Sequence, residues 1–267
     1  MKKIFYVLSL VLVMSSMISC QNVTEKSDNK TIFEFEDLSY DNIYRYKELD
    51  KDDFMSGDGT HKESATLVLP LKINNIEIKE LRDSLLSLAN ARITNDGKLE
   101  PISVGEDTEM ELTSGDSKTG DPSTYETSDL SINLINSRLI VWGYSFANYM
   151  GGAHGFYGSR FLNFSIKLAK ILSLDDLFVT GFEDPLNNLI RNVVKMEYED
   201  EVYNPDEIDD IEFTRNFRLT NYGIEFIYDP YEIGPYSSGE IRVSLTLDEL
   251  YTAGLIKPEI KEKVFGV

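Results

Sequence analysis

Cysteine and histidine are nearly absent. The 267 residues include one cysteine, Cys20, and two histidines, His61 and His154. A single cysteine excludes an intramolecular disulfide, a catalytic Cys-His pair and a cysteine-rich zinc site. Basic residues are scarce as well, with 26 Lys and Arg against 46 Asp and Glu and a net charge of −20. Residues 1–19 hold two lysines and no acid, so the remainder carries −22. Such a charge argues against nucleic acid, which requires a basic footprint, and against anionic lipid heads. It suits solubility or a basic partner. Also missing are a Gly-x-Ser-x-Gly elbow, a phosphate loop, a dinucleotide-binding glycine motif and a His-Glu-x-x-His pair. The well-marked enzyme classes are thereby removed, and no cofactor and no metal are expected. After residue 18 no apolar run approaches the ~20 residues a membrane helix needs.

The N-terminus carries an address. Lys2 and Lys3 precede Ile4–Ile18, fifteen residues that are apolar except for three serines, and then Ser19-Cys20. This pattern reads as a signal peptide over residues 1–19, with Cys20 as the site of lipid attachment. A lipid with two or more acyl chains anchors stably. Residues 20–30 read as a polar tether. The mature chain is expected to hang from a membrane by its N-terminus, at the outer membrane facing the periplasm or at the cell surface. Its oligomeric state stays open.

About 245 mature residues suffice for one domain or two. Ala65, Leu67, Leu69, Leu71 and Ile73 alternate as a strand. Asn74 with Glu77 reads as a cap for a helix of about 15 residues carrying Ile78, Leu81, Leu85 and Leu88. Residues 95–122 read as loop, with weak strand as the alternative. Tyr125–Ile135 and Leu139–Tyr149 form a hairpin around Asn136-Ser137, and Phe156–Lys167 is a third strand. Ser173-x-x-Asp176 caps a short turn of helix, and Asp184-Pro185 opens a helix with the apolar stripe Leu186, Leu189, Ile190, Val193, Val194. A hairpin turns at Asn221-Tyr222-Gly223. Ile241, Val243 and Leu245 alternate before the capping box Thr246-x-x-Glu249, and Gly254 ends the last helix. The fold class is α+β: antiparallel sheets with packed helices, as one composite domain or two closely packed subdomains.

Several constellations could carry chemistry. His154, among glycines that let backbone approach, reads as a general base or ligand, or as a structural imidazole. The lack of nearby His or Cys favours the structural reading. Adjacent Asp175 and Asp176 seldom face one bond as a glycosidase pair must, and capping explains them better. Between Glu197 and Glu212 lie nine acids and no base, among them Glu199, Asp200, Glu201, Asp206, Asp209 and Asp210. They read as a solvated face, a calcium site or a surface for a basic protein. No calcium-loop spacing is present. The loop containing Tyr228, Tyr231 and Tyr236 is dense in Tyr, Pro and Gly. It is either a binding surface, for which tyrosine is well suited, or a loop packing its rings inward.

Gly151-Gly152-Ala153-His154, the Asn163-Phe164 strand, Leu174-Asp175-Asp176-Leu177-Phe178 and the loop Tyr228-Asp229-Pro230-Tyr231-Glu232-Ile233-Gly234-Pro235-Tyr236 together resemble the C-terminal extracytoplasmic domain of the RsiV-type anti-sigma factors. The resemblance covers residues 130–267 as a domain. Residues 31–129 resemble more weakly the companion domain found beside peptidoglycan deacetylases of the PdaC type. The RsiV-type resemblance implies an α+β domain whose best-understood member binds lysozyme as a sensor. Lysozymes are basic, which agrees with an acidic receptor. No segment reads as a sigma-factor-holding region or as a deacetylase. The expectation is therefore a lipid-anchored envelope protein with a non-catalytic binding domain for a partner such as a basic wall hydrolase. A carboxylate-dependent enzyme on envelope glycans and a purely structural lipoprotein are the alternatives.

Overall fold

The computed structural model describes residues 32–46, 59–102, 111–113 and 124–266. Cys20 and the expected signal and tether lie outside the described residues, as does most of the 95–122 loop. Strand β1 is Phe33–Tyr46 and β2 is Gly59–Ile73, followed by helix α1 at Lys79–Leu88. Two short strands follow, β3 at Ala91–Ile93 and β4 at Leu99–Pro101, and then β5 at Glu111–Thr113. The expected hairpin is β6 at Thr124–Ile135 with β7 at Leu139–Tyr149, and β8 is Phe156–Ser165. After β9 (Lys170–Ile171) come α2 at Leu174–Leu177 and α3 at Glu183–Glu197. Strands β10 (Phe217–Leu219), β11 (Gly223–Tyr228) and β12 (Ile241–Thr246) precede α4 at Leu247–Thr252. Among the described residues no helix is long and apolar enough to cross a membrane.

Seven strands form one sheet in the order β5-β1-β2-β6-β7-β8-β9, and β10-β11-β12 form a second, antiparallel sheet. The large sheet departs from the antiparallel expectation at one place: β2 and β6 run parallel, with His61 opposite Thr124 and Leu67 opposite Leu130. A parallel pair needs a crossover rather than a tight turn, and the segment containing α1 and β3–β5 supplies it. The fold is mixed α+β, as expected from the alternation of strand groups and helices.

Strand β7 organises both cores. Leu139 and Val141 point into a cluster built by α2, α3, the small sheet and α4. Ile140 and Trp142 point the other way, into a cluster with β2, α1 and Leu162 and Phe164 of β8. All four are at most 2% exposed. A strand buried on both faces needs an unbroken apolar run, and Leu139-Ile140-Val141-Trp142 is one. The indole N–H of Trp142 donates to the Val68 carbonyl at 3.0 Å, so its polar atom is not stranded. The expected division at residue 130 falls within β6, a single strand of the large sheet.

Local caps are partly as expected. Asp176 accepts from the Ser173 N–H at 2.9 Å, and Glu249 accepts from the Thr246 N–H at 2.7 Å, each closing a capping box. Helix α3 begins at Glu183, so Asp184 lies inside its first turn rather than capping it. Asn74 does not cap α1, which starts at Lys79 with no side-chain cap and runs 10 residues rather than about 15. It turns the chain at φ 49°, and its Oδ1 accepts from the Ile32 N–H at 2.7 Å. Asparagine tolerates the left-handed region well, so here it ties β2 to the start of β1.

Candidate functional site

The turn between β7 and β8 carries the Gly-Gly-Ala-His motif. Gly151 and Gly152 take φ values of 98° and 95°, a region where a side chain would be strained. The Tyr149 hydroxyl donates to the Gly152 carbonyl at 2.9 Å and closes the turn. Gly155 is needed for space: a Cβ there would stand 2.2 Å from the Asn148 carbonyl oxygen. Gly155→Ala must push the turn away from β7. The expected cost is about 1–3 kcal/mol, read as a lower thermal midpoint together with displaced His154 ring resonances.

The second contributor is the loop between β11 and β12, and β8 holds both of its ends. Arg160 makes a bidentate pair with Asp229, its Nη1 2.8 Å from Oδ1. At the other end the Ser159 hydroxyl donates to Glu240 at 2.6 Å. Within the loop Tyr231 sits at φ 75°. A bulky residue there costs on the order of 1–3 kcal/mol, and the loop's anchored ends hold it in place.

These two segments, 77 residues apart in sequence, meet at His154. Its Nε2 lies 3.0 Å from the Tyr231 hydroxyl and its Nδ1 2.9 Å from the Gly155 carbonyl. A carbonyl only accepts, so Nδ1 donates to Gly155, and Nε2 shares a hydrogen bond with the Tyr231 hydroxyl. The imidazole stacks on Tyr236 with centroids 4.1 Å apart and an interplanar angle of 24°. Tyr157 meets Tyr236 edge-on at 5.7 Å. The cluster faces outward, with Tyr231 48% and Tyr157 37% exposed. Among the described residues no carboxylate hydrogen-bonds the His154 ring. Its contacts build a rigid aromatic surface.

The acidic segment borders this surface. Glu199, Asp200, Glu201, Asp206, Asp209 and Asp210 are all exposed. The backbone joins it to the tyrosine loop, with the Tyr203 N–H donating to the Ile233 carbonyl at 3.1 Å and the Ser238 hydroxyl to the Glu201 carbonyl at 2.8 Å. Residues Pro205–Asp210 form a 3-10 turn, and the Asn204 Oδ1 caps it by accepting from the Asp206 N–H at 3.1 Å. Asn187 and Arg191 of α3 fasten the returning chain at Phe213 and Ile211. Between turn and loop lies a groove of ≈ 510 Å³ lined by Tyr203, Glu207, Asp210, Glu212, Phe213 and Glu232, and by no lysine or arginine.

Tyr228 touches the groove but is not part of the exposed tyrosine surface. It is 1% exposed, and its hydroxyl donates to the Glu212 carbonyl at 2.8 Å. It continues the inward phase of Ile224 and Phe226 along β11, and burial pushes its phenol above the usual tyrosine range. Asp175 and Asp176 hold the chain rather than a substrate. Asp175 pairs with Arg215 at 2.9 Å. For Asp176 partial burial opposes ionisation, but Lys170 and Ser173 outweigh it and keep its carboxyl below the usual range. Among the described residues no three His, Cys, Asp or Glu side chains are grouped to hold a metal. Sequence reasoning missed Tyr157 and did not place Tyr203 beside the loop. The phase of β8 gave no signal for Tyr157, because Ser159, Asn163 and Ser165 of the same phase are buried.

Residues 175–248, from α2 to the first turn of α4, match a family described as a protein of unknown function (DUF3298). The fold is similar to that of a DUF3298 family member from Bacteroides fragilis. The TM-score is 0.59 and the identity 19%, over 87% of this chain and 96% of that one. A DUF3298 family protein from Pseudomonas aeruginosa gives a TM-score of 0.55 at 17% identity, over 86% of this chain and 96% of that one. No curated protein sequence matches the chain.

Proposed function

We propose that this chain, with its DUF3298 domain, is a lipid-anchored protein of the cell envelope that binds a basic protein without catalysis, a wall hydrolase of the lysozyme class being the leading partner. The observation that carries this reading is the exposed cluster of Tyr157, His154, Tyr231 and Tyr236 beside a run of solvent-facing carboxylates. Rigid tyrosines supply contact area at small entropic cost. The carboxylates draw a cationic partner in and favour it over acidic competitors. The resemblance to RsiV-type domains includes the Gly151–His154 and Tyr228–Tyr236 segments among the four that carry it, and it points to the same kind of ligand. Attachment through Cys20 follows from the signal-like N-terminus.

Calorimetry of residues 21–267 against hen-type lysozyme at low and moderate salt tests the reading. Micromolar or tighter binding that survives moderate salt is expected, because stacked and buried aromatic contacts are not screened. Heat that vanishes with salt reduces the effect to long-range charge attraction, and silence at low salt removes lysozyme of this type as the partner.

A further inference from the structure

A second acidic site lies on the α1 side of the large sheet. Along β2 the core-facing residues are Leu69, Leu67 and Ala65, and the same phase continues to Glu63 and His61. The neighbouring strands set Asn42 opposite Glu63, Glu63 opposite Glu126, and Glu126 opposite Asn148. One row of the sheet therefore changes from apolar to polar across four strands. Against this row lies a cavity of ≈ 130 Å³ walled by Tyr40, Tyr144, Phe146 and Asn90, with Glu63 and Glu126 on its lining. Glu63 is 8% exposed, and Glu126 is exposed at the rim.

This arrangement is costly as it stands. Like charges directly opposite on paired strands repel, and a buried carboxylate loses hydration. Among the described residues neither glutamate has an ion pair. Two phenols reach Glu63, Tyr44 and Tyr40, the latter at a long 3.4 Å, and neither brings a charge to balance it. Among the described residues, the titratable groups that face Glu63 are Tyr40 and Tyr44 of β1, His61 of β2, Glu126 of β6 and Tyr144 of β7, and none of these is a fixed cation. His61 is held neutral-leaning by burial, and its Nδ1 is engaged by the Thr124 hydroxyl at 2.9 Å.

We propose that this cavity binds one organic cation, an ammonium or guanidinium group, between the Glu63 and Glu126 carboxylates and against the Tyr144 ring, the neighbouring Phe146 ring already facing the Arg160 guanidinium at 5.7 Å. Aromatic faces attract such cations, more strongly where water is excluded. The size decides against a glycan, since pockets for drug-sized ligands run to ≈ 300–1,000 Å³ and this one holds a side-chain head. The head group could come from a small amine or from a lysine or arginine of a protein. The site does not depend on the tyrosine-loop reading.

Amide NMR of residues 21–267 titrated with n-butylammonium, methylguanidinium and uncharged n-butanol tests it. Saturable shifts confined to the cavity strands are expected with the two cations, absent with butanol, and reduced at least tenfold in affinity in Glu63→Gln and Glu126→Gln. Lysozyme producing the same shifts identifies a protein side chain as the source. Shifts with the small cations alone identify a small amine. No saturable shift, equal shifts with butanol, an unchanged response in both variants, or a response to calcium alone each overturns the proposal.

Folding of the variants is checked by melting. Burial, with Glu126 beside it, raises the Glu63 carboxyl against the hydrogen bonds from Tyr44 and Tyr40. The folded state thus holds this proton more tightly than the unfolded chain, and the stability Glu63 contributes in acid is lost as the pH rises through its folded value. Glu63→Gln should melt above the wild type at pH 7, with the gap closing towards pH 4. Glu126→Gln, at the exposed rim, serves as the second probe should Glu63→Gln fail to fold.

Discussion

Asn163→Ala will destabilise the domain by about 2–6 kcal/mol, because it strands two buried backbone groups at roughly 1–3 kcal/mol each. Asn163 is 1% exposed and belongs to β8, yet its amide serves the other sheet. Its Nδ2 donates to the Phe217 carbonyl at 2.9 Å, and its Oδ1 accepts from the Leu219 N–H at 2.7 Å. One side chain thus occupies the place of a missing strand on the open edge of β10. Asn163→Asp should be at least as harmful near neutral pH, since a carboxylate offers no donor to Phe217 and brings a buried charge. Urea unfolding measures both. A loss below about 1 kcal/mol would mean that water or a backbone shift replaces the amide, and the junction between the sheets would then rest on apolar packing alone. The effect reaches the binding surface too: Arg160 and Ser159, a few residues along the same strand, hold the ends of the tyrosine loop.

Tyr236→Ala will weaken binding of the basic partner by about 2 kcal/mol or more, roughly thirtyfold in Kd. Its ring lies between His154 and Tyr157, with centroids 4.1 and 5.7 Å away. Truncation empties the centre of the surface and leaves its rim intact. Tyr231→Gly is the more discriminating variant. It removes a ring that is 48% exposed and also releases the φ of 75°. Stability is expected to hold or to rise by up to about 1 kcal/mol while affinity falls as in Tyr236→Ala. Melting and calorimetry on one sample read the two effects separately. If Tyr231→Gly unfolds, the ring is structural and the loop is no contact surface. If both variants bind normally, the partner docks elsewhere.

Much of the local structure could be read from residue patterns. The Leu139–Trp142 run, the β6–β7 hairpin, the Ser173 and Thr246 caps and the α3 stripe all depend on neighbours within a few residues. Strand β1 was missed because its inward residues change parity. Phe33 and Phe35 alternate, a register shift falls between Glu34 and Phe35, and Leu38 and Tyr40 continue on the other phase. The Asn74 cap failed because the same side chain suits a left-handed turn. Tyr228 was misplaced because it was read with the loop rather than with the alternation of β11. The meeting of His154 with Tyr231 and Tyr236 had no local signal, since it is produced by the Arg160–Asp229 and Ser159–Glu240 contacts. Glu63 could have been found: it continues the buried phase of β2, where a charge breaks the pattern.

The two-sided burial of β7 bears on what can be inherited or excised as a unit. The segment matched by the family description begins at residue 175 and ends at residue 248, so it contains α2, α3 and the small sheet but none of β6, β7 or β8. Leu139 and Val141, which close its core, and Asn163, which completes the edge of β10, all come from strands before it. Cut out alone, that segment would present its apolar face and the open edge of β10 to water, an invitation to self-association. The stretch that sequence comparison recognises is therefore smaller than the stretch that can fold, and shuffling it between proteins requires carrying the three preceding strands along.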